Sequence, residues 1–450
     1  MAEPSPPAPP REAIGAPPRP VFGRRRAWLI TAVIVTFMLI NYADKAVLGL
    51  AAVPIMDELG ISNSAYGLIS SSFALLFSLS GLIVGFASAK VSSRVLLFTM
   101  AVLWAVAQLP VLFAASVPAL IAGRMLLGAA EGPAAPMSMH ALHKWFPEDR
   151  RGLPSALQIS GAALGTLIAA PVLTWLITGF GWRSAYVALA VASLAWSLVW
   201  WRTGHDGPYG EELTRSARPS VGTAHGSSTG QRLPYRRLLL NGTVLGSIAS
   251  AFGASWAMAL SHAWLPVYLR TQLGMPPGRA ATLISAVSAF SLVLLLSVPP
   301  LLDLLHRRGL SRRWASGAPQ GIAVTVAALA MASFPFADGG TQLALLAVAF
   351  GGHAIAFPLH YVTAAAVVPP LQRGAVFGIV AATGTLPGLI APYLTGHLLD
   401  SASSQSVGYT RSFLLSAAVM AACGLVALFT IRPERDARRL APTVTADTLR

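Results

Sequence analysis

Residues 124–133 read Arg-Met-Leu-Leu-Gly-Ala-Ala-Glu-Gly-Pro, and residues 41–49 read Asn-Tyr-Ala-Asp-Lys-Ala-Val-Leu-Gly. Each stretch lies inside an apolar run of about twenty residues, the length that crosses a bilayer as a helix. Asp44, Lys45, Arg124 and Glu131 are therefore ionisable groups set deep in predicted membrane spans. A charge at mid-bilayer costs roughly 3 kcal/mol on insertion scales, so such residues face a cavity or a partner. Depth supports a shared site. At 1.5 Å per residue, Asp44 lies about 13 Å inside the outer end of its span and Arg124 about 10 Å inside the same face. Glu131 follows Arg124 by two turns on one helix face, about 10 Å deeper.

Composition places the whole chain in the same solvent. Of 450 residues, 54% are apolar and 11% charged, against about 25% charged in a soluble domain. Apolar runs recur over 27–53, 65–88, 95–115, 117–142, 152–177 and 182–201, then over 238–262, 279–302, 315–336, 341–367, 373–398 and 410–431. The expected fold is an all-α polytopic membrane protein of about twelve spans, two six-helix bundles related by a repeat. The expected segments are a tail at 1–23, a bundle at 24–201, a polar linker at 202–237, a second bundle at 238–431 and a tail at 432–450.

The net charge of +15 is spread through short loops rather than gathered in one basic domain, which argues against nucleic acid as a partner. Its distribution orients the chain. Arg24, Arg25 and Arg26, then Lys90, Arg94, Lys144, Arg150 and Arg151, then Arg307, Arg308, Arg312 and Arg313 fall on one side, with the linker and carboxyl-terminal arginines. The opposite loops hold Arg183, Arg270, Arg279 and Arg411. Both termini are expected in the cytoplasm, in a multi-pass protein of the cell membrane. The single cysteine, Cys423, excludes an internal disulfide. No phosphate-binding Gly-Lys-Ser/Thr loop, metal-ligand spacing or hydrolytic set is found, so neither an ATP-driven pump nor an enzyme is expected, and no cofactor.

Two loops match in position. Gly85-Phe-Ala-Ser-Ala89-Lys90-Val-Ser92-Ser-Arg94 follows the second span, and Asp303-Leu-Leu-His-Arg307-Arg308-Gly309-Leu-Ser-Arg312-Arg313 follows the eighth. Both resemble the signature loop of the major facilitator superfamily, Gly-x-x-x-Asp-Arg-x-Gly-x-Arg-Arg. The first copy departs from it at Ala89 and Ser92, and the second has Pro299 at the leading glycine. The resemblance implies a cytoplasmic gate at Lys90, Arg94, Asp303, Arg307 and Arg308. Ala89 stands where the acid is usual, so Asp303 with Arg307 or Arg308 is expected to carry more of it.

The opening stretches are similar to motifs of one branch, the anion:cation symporter family: Asn-Tyr-x-Asp-Arg-x-x-Leu in the first helix and Arg-x-x-x-Gly-x-x-Glu-Gly in the fourth. Trp145-Phe146-Pro147 through Gly152, Ser160-Gly161 with Gly165, Gly181-Trp182-Arg183, Trp264-Leu-Pro266-Val-Tyr268 and Pro392 through Gly396 to Asp400 continue the resemblance in order. It implies that Lys45 and Arg124, with neighbouring Tyr42, engage a small organic anion, and that Asp44 and Glu131 carry protons. Lys45 stands where arginine is usual, which keeps the charge and loses the bidentate fork. Ala381, Ala382 and Thr383 occupy the region of the eleventh helix where many members hold an asparagine, which favours a less hydroxylated acid.

The residues themselves support the same chemistry. The Arg124 guanidinium matches a carboxylate bidentately, and an acid screened from water can bind a proton in one step and release it in the next. The alternative is that the four charges only neutralise one another and fasten two helices. His262, His353 and His360 are candidates for substrate contact or proton transfer, and Trp256, Trp264 and Tyr361 for stacking. Each is equally compatible with core packing. The expected function is proton-coupled uptake of a carboxylate by a monomer in the lipid bilayer. A drug or metabolite exporter of the same fold is the alternative, and a receptor or intramembrane enzyme is a more distant one.

Overall fold

Every apolar run becomes a helix in the computed structural model, which describes residues 24–87, 91–114, 116–147, 150–209, 233–369 and 372–440. The first six spans are Arg24–Leu50, Asn63–Ala87, Ser93–Phe113, Val117–Glu131 with Ala134–His143, Gly152–Phe180 and Trp182–Thr203. The second six are Gly242–Ala263, Pro277–Arg307, Ala318–Ser333, Gly339–Gly351 with Ala356–Ala365, Arg373–Asp400 and Gln405–Thr430. Eleven of these stretches are long and apolar enough to cross a membrane. The fourth span falls short of that length because it divides at Gly132-Pro133 into pieces of 15 and 10 residues. Pro133 and Pro136 lack the N–H that would continue the backbone ladder there.

Local chemistry sets several helix starts. Ser92, Ser116, Asn241 and Ser404 occupy N-caps and accept from backbone N–H groups at 2.9–3.4 Å. Gly181, at φ 83°, turns the fifth span into the sixth with a single residue. Large apolar side chains such as Leu75, Leu79, Ile83, Val191, Leu198 and Phe429 point outward, as lipid-facing helices require.

Helix pairing repeats between the halves. The first span packs on the fifth, the third on the sixth and the second on the fourth. Correspondingly, the seventh packs on the eleventh, the ninth on the twelfth and the eighth on the tenth. The halves meet where the second span packs on the eleventh and the fifth on the eighth, two contacts that the same relation exchanges. Small residues permit close approach. A Cβ on Gly128 would lie 2.0 Å from the Phe73 carbonyl oxygen, and one on Gly132 2.0 Å from that of Phe77, so the fourth span rests directly on the backbone of the second.

The two faces of the bundle differ. On the face opposite the chain ends, the Asp400 carboxylate accepts from Asn63 N (3.2 Å), Asn63 Nδ2 (2.8 Å), Ser64 N (2.7 Å) and Ser64 Oγ (2.5 Å). The eleventh span thus caps the N-terminus of the second from across the interface. Nearby, Tyr66 donates to Ala263 O at 2.8 Å, Tyr393 N to Ser71 Oγ at 3.2 Å and Ser285 to Leu167 O at 2.8 Å. Ser78 and Thr385 share a hydrogen bond deeper in the bundle. These bonds between the halves lie from that level to the face that carries Asp400.

The loops beside the spans are also tied down. Glu58 receives Trp182 Nε1 at 2.7 Å and both Arg183 Nη atoms at 3.0 and 2.6 Å, fastening the short helix Ala52–Leu59 to the sixth span. Lys144 pairs with Asp206 at 2.9 Å, and Trp145 donates to His205 O at 3.2 Å, so the Trp-Phe-Pro loop docks on the chain after the sixth span. The helix Pro433–Leu440 caps two spans of the second half: Asp436 accepts from Thr243 N and Oγ1 at 3.0 and 2.7 Å, and Glu434 accepts from Arg312 N at 2.5 Å.

Candidate functional site

Between the halves, at mid-bundle, lies a cavity of about 860 Å³ of empty space, the open solvent at its mouth included. The first, second, fourth, seventh and eleventh spans form its wall. Its two cations are Lys45 and Arg124. The first span supplies Tyr42 and Lys45 one turn apart, and the Lys45 ammonium sits 4.2 Å over the Tyr42 ring and 5.4 Å from that of Phe77. The same ammonium donates to Asn41 Oδ1 at 2.6 Å and lies 3.2 Å from Glu131 Oε2. Arg124 Nη1 reaches the backbone carbonyl of Asp44 at 3.4 Å, and the guanidinium lies beside the buried Tyr186 hydroxyl.

The two acids sit behind this wall rather than on it. Asp44 is wholly enclosed, and Gln108 of the third span donates to its Oδ1 at 2.9 Å. Asp44 Oδ2 and both Glu131 oxygens lack a hydrogen bond of good geometry; the Lys45 contact to Glu131 is an ion pair by distance alone. Buried acids with so few donors are an unusual expense in a fold.

The structure brings together Tyr42, Lys45, Arg124 and His262 on the cavity wall, with Asp44 and Glu131 immediately behind. His262 donates from Nδ1 to Met258 O at 2.9 Å, which leaves Nε2 as its second polar atom. Three expected substrate contacts lie elsewhere. Trp264 is fully buried, donates to Pro392 O at 2.9 Å and packs edge-on against Tyr66, a strut beneath the closed face. His353 is buried in the turn Gly352–Ile355, where its ring meets Phe357. Tyr361 packs on His360 and Phe377 at the side of the tenth span. None of the three lines the cavity. Trp256 likewise turns away, donating to Ser416 at 3.0 Å.

Of the expected gate, Lys90 falls outside the described residues. Arg94 donates to the Trp201 carbonyl and stacks on its ring at 4.7 Å, within its own half. Asp303 pairs with Arg307 at 2.8 Å one turn along a single exposed helix, and Arg308 follows at its C-terminus. Gln108, Phe73 and Phe77 were not expected at the site. Gln108 carries a usable signal, a lone amide in an apolar run. The two phenylalanines carry none, since a lipid-facing ring reads the same.

Comparison with known proteins decides the class. The family profile of the Major Facilitator Superfamily matches residues 34–363. The chain belongs to the major facilitator superfamily. This facilitator is 27% identical over 416 residues to a protein of Cupriavidus necator named as a probable sulfoacetate transporter, covering 89% of the chain and 93% of the relative. It is 26% identical over 410 residues to a D-galactonate transporter of Escherichia coli (88% and 93% covered). It is 24% identical over 400 residues to a hexuronate transporter of Bacillus subtilis (88% and 92% covered). Among solved structures, a bacterial homolog of the human lysosomal transporter Spinster, inward-facing and unoccupied, superposes with a TM-score of 0.75 at 16% identity (92% and 99% covered). A D-xylose–proton symporter superposes at 0.70 and 18% identity (91% and 99% covered). The facilitator is a multi-pass membrane transporter and not an enzyme. The expected fold, two pseudo-symmetric six-helix halves, is the one found.

Proposed function

We propose that this facilitator takes up a small organic anion together with protons, by alternating access of its two halves. The observation that carries this reading is a cavity whose wall, among the described residues, holds two cations, Lys45 and Arg124, and no acid, with Glu131 and Asp44 buried directly behind them. The named substrates of the relatives, sulfoacetate, galactonate and hexuronate, are all anions, which supports it. In this reading Arg124 takes the carboxylate with its planar fork. Lys45 is held by Glu131 until that acid is protonated, and is then free to meet the substrate. Proton and anion therefore favour each other's binding, a coupling that is reciprocal. Against a membrane potential an entering anion meets about 2.3 kcal/mol per charge per 100 mV, and a co-transported proton cancels that opposition.

The charge distribution supports cytoplasmic termini in the cell membrane. In that orientation the face that carries the Asp400 bonds is the outer one. Each chain holds a complete cavity, consistent with a working monomer.

The test is uptake of labelled phenylacetate and galactonate into proteoliposomes with an inward proton gradient and a clamped potential. Accumulation of one acid, collapsed by a protonophore and abolished in Arg124→Gln, is expected. Glu131→Gln should still exchange substrate across the membrane but no longer concentrate it. Preferential movement of neutral or cationic compounds, indifferent to Arg124→Gln, contradicts the reading and favours an exporter.

A further inference from the structure

We infer that the substrate is a monocarboxylate with a compact apolar body, of the size of an aromatic acid, rather than a polyhydroxylated sugar acid. The inference rests on the anion reading above and narrows it. Three observations point the same way.

The first is what the cavity wall lacks. No Asn, Gln, Asp or Glu side chain is among the residues that line it. The amides donate and accept at once, the carboxylates accept from two sides, and both suit the paired hydroxyls of a sugar. The amides of Asn41 and Gln108 are committed to Lys45 and Asp44. Thr385 is engaged with Ser78 and with Ala382 O. A chain of hydroxyls drawn into this space meets the hydroxyls of Tyr42, Ser70 and Ser255 but no amide or carboxylate, and each hydroxyl left unpaired weakens binding.

The second is what the wall offers instead. Phe73 and Phe77, with ring centroids 5.4 Å apart, stand beside Tyr42, and Met258, Ala259 and Pro392 extend the apolar surface. The eleventh span presents Gly384 and Gly388, which place no side chain in the space. Aromatic rings and polarizable methionine favour a flat apolar body.

The third is charge. The wall's two cations are not equivalent. Lys45 is held 3.2 Å from Glu131, whereas Arg124 makes no ion pair among the described residues: it reaches the Asp44 carbonyl and the Tyr186 hydroxyl, and feels the Asp44 and Glu131 charges only from further off. One carboxylate meets the guanidinium. A second would have to lie against the apolar wall or compete with Glu131. His262 Nε2, whose partner nitrogen is fixed on Met258 O, is placed to accept one hydroxyl and no more in the neutral ring.

The experiment is thermal stabilisation of the purified wild-type protein by phenylacetate, benzoate, phthalate, galactonate, glucuronate and glucarate, repeated on Arg124→Gln. Phenylacetate or benzoate is expected to stabilise at concentrations about tenfold or more below galactonate and glucuronate, and phthalate to be weaker than benzoate. Arg124→Gln should erase the response. A galactonate or glucuronate response stronger than that to the aromatic acids, still lost in Arg124→Gln, overturns this inference and leaves the anion reading intact. Stabilisation by none of the acids, or an acid response unchanged in Arg124→Gln, overturns both.

Discussion

At Lys45 one ammonium serves an amide, a carboxylate and an aromatic face, at 2.6 Å from Asn41, 3.2 Å from Glu131 and 4.2 Å from the Tyr42 ring. Such a group holds its helix in place and also waits for another partner. The two roles are separable by a mutant cycle. Lys45→Met alone strands a buried Glu131, a loss of about 3–5 kcal/mol for a broken buried pair. Lys45→Met with Glu131→Gln removes both charges and should recover most of that stability without recovering transport. Melting temperatures of the single and double variants decide it; a double variant no more stable than Lys45→Met would show that the pair is not the stabilising unit. The sequence made these charges legible because ionisable residues in an apolar run must face a cavity or a partner. It did not distinguish wall from backing. Asp44 and Lys45 are adjacent letters, yet the helix turns one into the protein and the other toward the cavity.

At the scale of helices, the cap that Asp400 supplies to the second span joins the two halves through four hydrogen bonds on one face. A bond set of this kind belongs to one arrangement of the halves and must break when they rock. Asp400→Ala is expected to shift the population away from the state described, while leaving each half folded. Spin labels at Asp57 and Ser403, in a Cys423→Ser background that removes the free thiol, would report a longer distance across that face in the variant. An unchanged distance distribution would assign Asp400 to local capping only. The helix Pro433–Leu440 makes a different prediction. Burial alone would raise the Asp436 carboxyl, but hydrogen bonds from Arg435 and Thr243 outweigh it and hold the group below the usual carboxylate range. Because the folded value is depressed, its contribution is present above the unfolded value of about 3.9 and is lost as pH falls through the folded value. Melting temperature should therefore decline on acidification in that window, and Asp436→Asn should be less stable at neutral pH with a shallower decline. Trp264 and Trp256 read equally as stacking surfaces or as core, and both bond to neighbouring spans.

For the whole molecule, the repeat of hydropathy over two sets of six spans, with matched basic loops, carried the fold, because a bilayer admits few ways to satisfy a backbone. The division of the fourth span at Gly132-Pro133 was not foreseen, since hydropathy does not see where a helix breaks. Nor does it place His353 and Tyr361, which share the tenth span with cavity-facing helices around them yet turn to the side. What the fold achieves is to set two helices of one half, bearing Lys45 and Arg124, against the seventh and eleventh spans of the other across one shared cavity. The central claim is that Arg124 reads an anion there. The most direct test is counterflow of labelled phenylacetate and labelled galactonate, in parallel, through proteoliposomes of wild type and of Arg124→Gln. Counterflow of at least one acid by wild type, and of neither by Arg124→Gln, is the predicted result. Equal counterflow by both proteins would contradict it.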